Sequence, residues 1–554
     1  APQLQGAPKS LGQHTGGMII SSSPIPDMVP SRRGAIEGRY IMDWDKDSVA
    51  DAGFAKIDIL SLPVLDQLEE AVELVEQRTG EFVDLSRIPP DDPCVYDMIN
   101  LGRSRGVFLL QSPAQLKMGQ RLLSRNLQDL AYQVALIRPG VGVQGSAVSD
   151  FVNRYRNGAD WNYDHPIEER SLARGYGIII WQEQVVQLIS DVSGMTQADA
   201  DEMRRSFTRR NNDQVIAMYW NKFRDGAAHK GIDEKTAKKI FSKINGHYMF
   251  PESHSHAFAI SAYQSAWMKY YYPLEFFIGL MNNQPMGFYP IEAIKQDARR
   301  FGVEFLNPCV NLSGSYCIPR KGSLLLGLEF IKEVGERNAS VILRERSTHG
   351  PFMSVGDFVG RVDIHPEAIE SLALSGAFDS ISLNRKTALW ESGVYPSISK
   401  NQRPLPLCMD SSVPKLHDFT LYERMLSEYR VMGIYPDGHI MEFVRDRLPW
   451  EVSKISDVDS MTDRQPVSVA GWAIARQHPQ GYKGTVFVTV EDETSDIQLI
   501  VWPKVFQRFK HVLREPLILA RGNISRWDNT TNVIVSELES ISTETGLPLG
   551  HDWY

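Results

Sequence analysis

Lys56 and Asp58 stand two apart in a β-type run, the spacing that puts both side chains on one face of a strand. A carboxylate there can hold a cation and an ammonium can meet phosphate, although the same pair also makes an ordinary surface contact. Asp43, Asp45 and Asp47 alternate in the same way and on a strand would present carboxylates to one side. Arg204 and Arg205, with Arg209 and Arg210, lie in residues 199–246, where eleven Lys/Arg against seven Asp/Glu leave a net of +4. Forked guanidinium donors suit phosphate, and a solvated helix face has the same composition. Ser253-His254-Ser255 stands just before a long amphipathic stretch, where a helix N-terminus favours an anion or simply needs a cap. On that stretch Tyr263, Gln264, Trp267 and Tyr271 are spaced to line one side, as a base-contacting face or as packed core. Phosphate-loop, dinucleotide, zinc-protease and serine-hydrolase signatures are absent.

The elements that must position these residues come from a chain of 554 residues, room for three to four domains at ~150 residues each. Hydrophobic residues are 42% and charged residues 23%, an ordinary globular balance that excludes a disordered chain. The net charge of −9 means that any nucleic-acid site must be a local basic patch. Cys94, Cys309, Cys317 and Cys408 are scattered, which argues against a disulfide framework or structural zinc and fits a reducing cytoplasm. No apolar run reaches the ~18–20 residues of a membrane span. The start at Ala1 has no signal-peptide pattern, and without an initiator Met the chain is expected to be a piece of a longer protein.

Residues 1–62 mix turns with short β-runs, and Leu65, Leu68, Val72 and Val75 then mark a helix from Pro63 to Gly80. Helical periodicity dominates residues 63–300. Residues 301–385 form a smaller mixed unit in which 330–342 reads as helix, tight Val334-Gly335 turn, helix. Residues 386–464 read as a Pro/Ser-rich linker followed by a helical segment. From 465 to 545 the period changes to two, with five short strands and a helical stretch (505–513) after the third, the pattern of an OB-fold barrel. The expected fold class is therefore multidomain α+β.

The order of these residues resembles a known family. Gln13-His14-Thr15-Gly16-Gly17, Asp43-Trp44-Asp45-Lys46-Asp47 and Lys56-Ile57-Asp58-Ile59-Leu60 resemble the end of the palm of C-family bacterial DNA polymerases, the family of the DNA polymerase III alpha subunit. The resemblance runs on through Leu136-Ile137-Arg138-Pro139-Gly140, Trp181-Gln182-Glu183-Gln184, Met203-Arg204-Arg205, Glu252-Ser253-His254 and Ser261-Ala262-Tyr263-Gln264 to the C-terminal barrel, over nearly the whole chain. Asn283-Gln284-Pro285-Met286-Gly287-Phe288-Tyr289 and Leu499-Ile500-Val501-Trp502-Pro503 are similar to its error-prone, damage-tolerant branch.

The resemblance implies DNA-templated addition of deoxynucleotides with two Mg²⁺, in replication past damaged bases and in repair. It places the third of the family's three metal-holding aspartates at Asp58, with Lys56 toward phosphate. The other two belong to an Asp-x-Asp motif that precedes the matching region. Asp43, Asp45 and Asp47 match a different segment, so the chain is expected to hold one of three carboxylates and not to polymerise alone. The phosphoesterase-like domain and the first half of the palm are not matched. Arg138, Arg204, Arg205, Ser253, His254, Tyr263 and Gln264 are the implied nucleotide-binding residues. Lys332 and Arg337 flank a helix-hairpin-helix turn that either binds DNA phosphate or is only structural, since Glu333 stands where Gly is commoner. Gln402, Leu405 and Leu407 resemble a sliding-clamp peptide. In the barrel, Trp472 and Trp527 are candidates for base stacking and Arg476 and Lys483 for the DNA backbone. Primed DNA, deoxynucleoside triphosphates, a clamp and other polymerase or mutasome subunits are the implied partners. A non-catalytic DNA-binding or assembly subunit, or half of a split polymerase, is the alternative. A standalone RNA-binding protein is a third reading, which the fingers segment disfavours.

Overall fold

The computed structural model describes residues 14, 16–34, 38–59, 62–137, 146–207, 213–244, 250–287, 289–382, 384–394, 416–478, 484–542 and 551–553. Chain contacts divide it into two units, Ala1–Asp66 and Gln67–Tyr554.

The first unit holds strands β1 (Gly17–Ile20), β2 (Ser31–Arg33), β3 (Tyr40–Met42) and β4 (Ala55–Asp58), and helix α1 (Lys46–Asp51). β1 and β4 pair antiparallel with Gly17 opposite Asp58, Met18 opposite Ile57 and Ile19 opposite Lys56. β2 and β3 pair antiparallel as a second two-stranded sheet. Because side chains alternate along a strand, Met18, Ile20 and Ile57 fall on one face and Lys56 and position 58 on the other. Met18, Ile20 and Ile57, with Ile59 just beyond β4, are 45–64% exposed. The Asp43–Asp47 alternation is not a strand: Asp43 pairs with Arg32 at 3.0 Å, and Asp45 Oδ1 accepts the Ser48 N–H at 2.8 Å at the start of α1. Ser48 follows Asp45 by three residues, the reach of an N-cap carboxylate, so helix capping settles this segment.

Helix α2 (Pro63–Thr79) forms where expected, but its buried residues are Val64, Gln67, Leu68, Ala71 and Val75, while Leu65 is exposed. Its register is set by the neighbouring helix, where Gln67 Nε2 donates to the Phe276 carbonyl. A helical layer follows: α3 (Pro93–Asn100), α4 (Pro113–Leu122), α5 (Leu127–Leu136), α6 (Ala147–Asn157) and α7 (Glu169–Leu172). It continues with α8 (Gln182–Ser193), α9 (Gln197–Ser206), α10 (Asp213–His229), α11 (Glu234–Ile244), α12 (Glu252–Tyr271), α13 (Pro273–Asn282) and α14 (Ile291–Arg300). Asp92, Ser112, Asn126 and Thr196 cap α3, α4, α5 and α9 through their side-chain oxygens. α12 packs on α5, burying Ala259, Ala262 and Ala266, small residues that let the helices approach closely, and with them the large ring of Tyr263.

Beyond α14, strands β5 (Phe305–Leu306), β6 (Ile318–Arg320) and β7 (Ser323–Leu325) form a small sheet in the order β5-β7-β6. Helices α15 (Gly335–His349), α16 (Val355–Arg361), α17 (Pro366–Leu374), α18 (Arg385–Val394), α19 (Leu421–Met432) and α20 (Ile440–Val444) follow. The expected helix ahead of the Val334-Gly335 turn is a single 3-10 turn, Leu328–Phe330. The chain then reverses at Glu333 (φ 68°), and the Lys332 N–H is taken by the Val431 carbonyl at 2.8 Å.

The C-terminal region closes into a barrel of β9 (Pro466–Gln477), β10 (Val486–Glu491), β11 (Asp496–Val501), β12 (Leu517–Trp527) and β13 (Thr530–Ser540). A short β8 (Val452–Ser453) precedes them, α21 (Pro503–Phe509) follows β11, and β14 (His551–Trp553) comes last. The order β10-β11-β13-β12-β9 returns to β10 through the β9–β10 ladder. Closure brings the two backbones so near that a Cβ at Gly471 would sit 2.6 Å from the Glu491 carbonyl oxygen. Val469, Ala473, Val488, Leu499, Ala520 and Val533 fill the interior. All five expected strands and the helix after the third are present.

Charge joins the barrel to the helical layer. Arg105, 3% exposed, reaches Glu491 at 2.8 Å and Asp496 at 2.9 Å, with its guanidinium 4.4 Å from the Tyr289 ring. Arg300 meets the same two carboxylates at 3.2 and 3.4 Å. No helix among the described residues is long and apolar enough to cross a membrane.

Candidate nucleotide and nucleic-acid site

In the first unit Lys56 leans along the face it shares with positions 17 and 58. A Cβ at Gly17 would stand 2.6 Å from Lys56 Cε and 2.8 Å from His14 Nδ1, so a larger residue there would push the lysine end and the imidazole aside. His14 Nδ1 accepts the Gly16 N–H at 3.1 Å. Position 58 lies directly across from Gly17. His14 was not singled out from sequence, and its neighbours in the Gln-His-Thr-Gly-Gly run were the only signal.

In the second unit α9 presents Arg204 and Arg205 in its last turn. Asp201, one turn earlier, accepts from Arg204 at 2.7 Å and from Arg205 at 2.8 Å. Burial would raise the Asp201 carboxyl, but the two guanidinia hold it below its ordinary value. Asp201 also lines a groove of about 700 Å³ with Arg170, Arg174, Gln182 and Glu183. Arg170 and Arg174, four apart on the segment before α8, escaped the sequence reading because nothing in their immediate sequence marks them. Both are themselves paired, with Asp191 and Glu252.

α12 begins at Glu252 with Pro251 at its N-cap, so Ser253 and His254 lie inside the first turn rather than ahead of the helix. Both are exposed, and the His254 ring stands 3.8 Å from that of Phe258. The next serine, Ser255, is buried and takes the Trp181 indole N–H at 3.0 Å. Outward along α12 run Ser253, Ala257, Ile260, Gln264, Trp267 and Tyr271, at three- and four-residue intervals. Tyr263 is not on that side. It is 2% exposed, and its hydroxyl donates to the Pro89 carbonyl at 2.6 Å and accepts the Asp92 N–H at 3.2 Å. Gln264 Nε2 donates to the Leu85 carbonyl at 3.0 Å. Tyr263 therefore ties down the 85–92 segment that borders the outward stripe. Tyr263→Phe should lower stability by about 1–2 kcal/mol through the lost bonds, read as a shift in the urea midpoint. An unchanged midpoint would contradict that anchoring role.

The turn residues Lys332 and Arg337 are exposed, but Glu329, Glu333 and Glu336 surround them, and the turn packs with residues 429–433 around a groove of about 430 Å³. Among the barrel candidates, Trp472 is 2% exposed and cannot stack on a base. β9 is covered on both sides, inside by the barrel core and outside by Tyr429 and His439, whose rings lie 6.2 and 6.5 Å from the indole. Arg476 is buried too, with Nη2 on the Glu515 carbonyl at 2.7 Å. Trp527 is 58% exposed. Arg138, Lys483, Gln402, Leu405 and Leu407 lie outside the described residues, as do Arg209 and Arg210, and so does the side chain of Asp58.

A divalent cation needs several oxygen ligands converging on one point. Among the described residues no group of three or more His, Cys, Asp or Glu could hold a metal ion. By themselves these residues do not make a two-metal site.

Family models match the chain in the order of its parts. Residues 1–61 match the "bacterial DNA polymerase III alpha NTPase domain" and residues 64–231 the "bacterial DNA polymerase III alpha subunit finger domain". Residues 302–388 match a "helix-hairpin-helix motif" and residues 467–541 an "OB-fold nucleic acid binding domain". Proteins named error-prone DNA polymerase align along almost all of the chain. That of Corynebacterium efficiens is 36% identical over 99% of this chain and 51% of its own length. The Corynebacterium glutamicum protein is 35% identical over 98% and 51%, and that of Mycobacterium tuberculosis strain H37Rv 33% over 99% and 50%. The chain thus spans about half the length of the curated relatives it matches. Along almost its whole length it is similar to proteins named error-prone DNA polymerase, and its first 231 residues are similar to two domains of the bacterial DNA polymerase III alpha subunit.

Proposed function

We propose that this chain is the part of an error-prone C-family DNA polymerase that holds the end of the palm (1–62), the fingers (63–300), a helix-hairpin-helix unit (301–385), a linker with a clamp-docking peptide (386–464) and an OB domain (465–545). The observation that carries this reading is the collinear match of its separate regions to one family, with a finger region and a closed OB barrel in that order. In this reading the reaction is DNA-templated nucleotide addition in damage-tolerant replication and repair, in the cytoplasm, on primed DNA with deoxynucleoside triphosphates. The metal ions are Mg²⁺, and Asp58 is one of their ligands. Lys56 faces phosphate, Arg204 and Arg205 exchange Asp201 for the triphosphate, and Arg138, Ser253, His254 and Gln264 border the nucleotide. Lys483 contacts the DNA backbone, and Gln402, Leu405 and Leu407 dock on the clamp.

The exposed Met18, Ile20, Ile57 and Ile59 support a palm completed by further polypeptide, since a sheet of only two strands is at best marginally stable. The test is primer extension by the gene's complete reading frame on templates with and without an abasic site. Template-directed incorporation on both supports the reading, and incorporation that ignores the template would overturn it. The lone family carboxylate favours one second reading, a half of a split polymerase completed by another chain, for which mixing with a polypeptide bearing the missing carboxylates is the assay.

A further inference from the structure

The tip of the β12–β13 hairpin carries Trp527, Asp528 and Asn529, the last two at positive φ of 46° and 62°, as a tight two-residue hairpin turn requires. It does not project into solvent but lies against α4. Arg121 holds its guanidinium 4.8 Å from the Trp527 ring centroid. Its Nε and Nη2 donate to Asp528 Oδ2 at 3.1 and 3.0 Å, and Nη2 also donates to Ser149 Oγ on α6 at 3.1 Å. One turn back on α4, Lys117 Nζ donates to the Thr531 carbonyl at 2.9 Å. The indole is thus gripped from one side by a second structural layer.

An ordinary joint would bury that ring, as the same barrel buries Trp472 to 2%, yet Trp527 remains 58% exposed. A flat aromatic ring with a guanidinium over it and still 58% exposed matches what an unpaired base needs, because every base has a face to stack and a ring held by such a contact has less freedom to lose. Arg121 adds two things: its fork neutralises Asp528, so the tip does not repel a phosphate, and it fixes the ring plane from behind.

We propose that Arg121, Trp527 and Asp528 form a composite stacking site for an unpaired base of single-stranded DNA, shared between α4 and the barrel hairpin. Trp527 receives the base on its open face, and Arg121 is the positioning residue. This rests on the nucleic-acid reading of the chain and adds the partnership between layers.

The probe is a labelled 20-residue deoxythymidine strand, titrated by fluorescence anisotropy against the full-length polypeptide, with the melting midpoint of each variant measured alongside. Trp527→Ala should weaken binding about tenfold, the size of one lost base stack, and Arg121→Leu should weaken it by a similar factor. The double variant should be no weaker than Trp527→Ala, because both changes remove one interaction. Trp527→Phe, which keeps a ring at the joint, should bind within about threefold of wild type. Full binding by Trp527→Ala, full binding by Arg121→Leu, losses that multiply in the double variant, or a Phe variant as weak as Ala would each overturn the composite site. A wild-type protein that does not bind the strand at all would instead overturn the nucleic-acid reading on which it rests.

Discussion

Under the proposed role of Asp58, Asp58→Ala is expected to abolish templated synthesis by the polypeptide of the complete reading frame, a loss of about a thousandfold or more in rate, because a carboxylate that holds charge at the reacting phosphates is worth several kcal/mol. The family resemblance carries this expectation, and the β1–β4 register is compatible with it. Position 58 stands opposite Gly17, the residue whose missing side chain lets Lys56 and His14 lie over the same face. Single-turnover primer extension, with binding of primed DNA measured in parallel, separates lost chemistry from lost affinity. Synthesis that survives in Asp58→Ala would remove Asp58 from the reaction.

The second large effect is on stability. Arg105→Leu leaves Glu491 and Asp496 without their main partner at the barrel joint, and removing one member of a buried ion network costs about 3–5 kcal/mol. The urea midpoint and amide exchange along β10 and β11 should both report it, and unchanged values would contradict the joint. Arg300→Leu costs less, since that side chain is partly exposed. The two carboxylates should respond to pH with opposite signs. Burial raises the Glu491 carboxyl above its ordinary value of 4.5, in spite of Arg300 and Arg105. Burial pushes Asp496 up as well, but Arg105, Arg300 and Lys117 outweigh it and hold that carboxyl below 3.8. The Asp496 contribution is therefore complete above pH 3.8 and lost as pH falls below it. For Glu491 the unfolded chain releases its proton first, so stability falls as pH rises from 4.5 toward the higher folded value. Asp496→Asn should flatten the acid limb of the stability profile, and Glu491→Gln the limb above it.

Alternation and helical spacing made much of this architecture legible in the sequence. The barrel strands were readable because Val486, Val488 and Val490 recur at every second position and Asp496–Val501 alternates between partly exposed and buried residues. α12 was readable as a helix, but aromatic residues occur on both its sides, so spacing did not reveal that Tyr263 faces inward while Gln264, Trp267 and Tyr271 face out. Trp472 misled for a related reason: an OB strand usually offers one face to solvent, and here α19 covers it. The turn at Glu333 was readable, whereas the helix before it was not formed, because Leu328–Phe330 closes after one turn. The Arg105–Glu491–Asp496 joint and the Arg121–Trp527 contact join residues about 400 apart, and no local pattern announces them. The family motifs supplied what spacing could not, above all the role expected of Asp58.

One measurement bears most directly on the central claim, the proposal that this chain binds primed DNA and nucleotide as part of a polymerase and supplies Asp58 to its reaction. The isolated 554-residue chain would be titrated with a labelled primer–template and then given Mg²⁺ and all four deoxynucleotides, alone and with the polypeptide that carries the Asp-x-Asp motif. The expected result is binding without extension when alone, and templated extension, lost in Asp58→Ala, once the second polypeptide is present. Failure to bind the primer–template, or extension by the isolated chain that persists in Asp58→Ala, would contradict it.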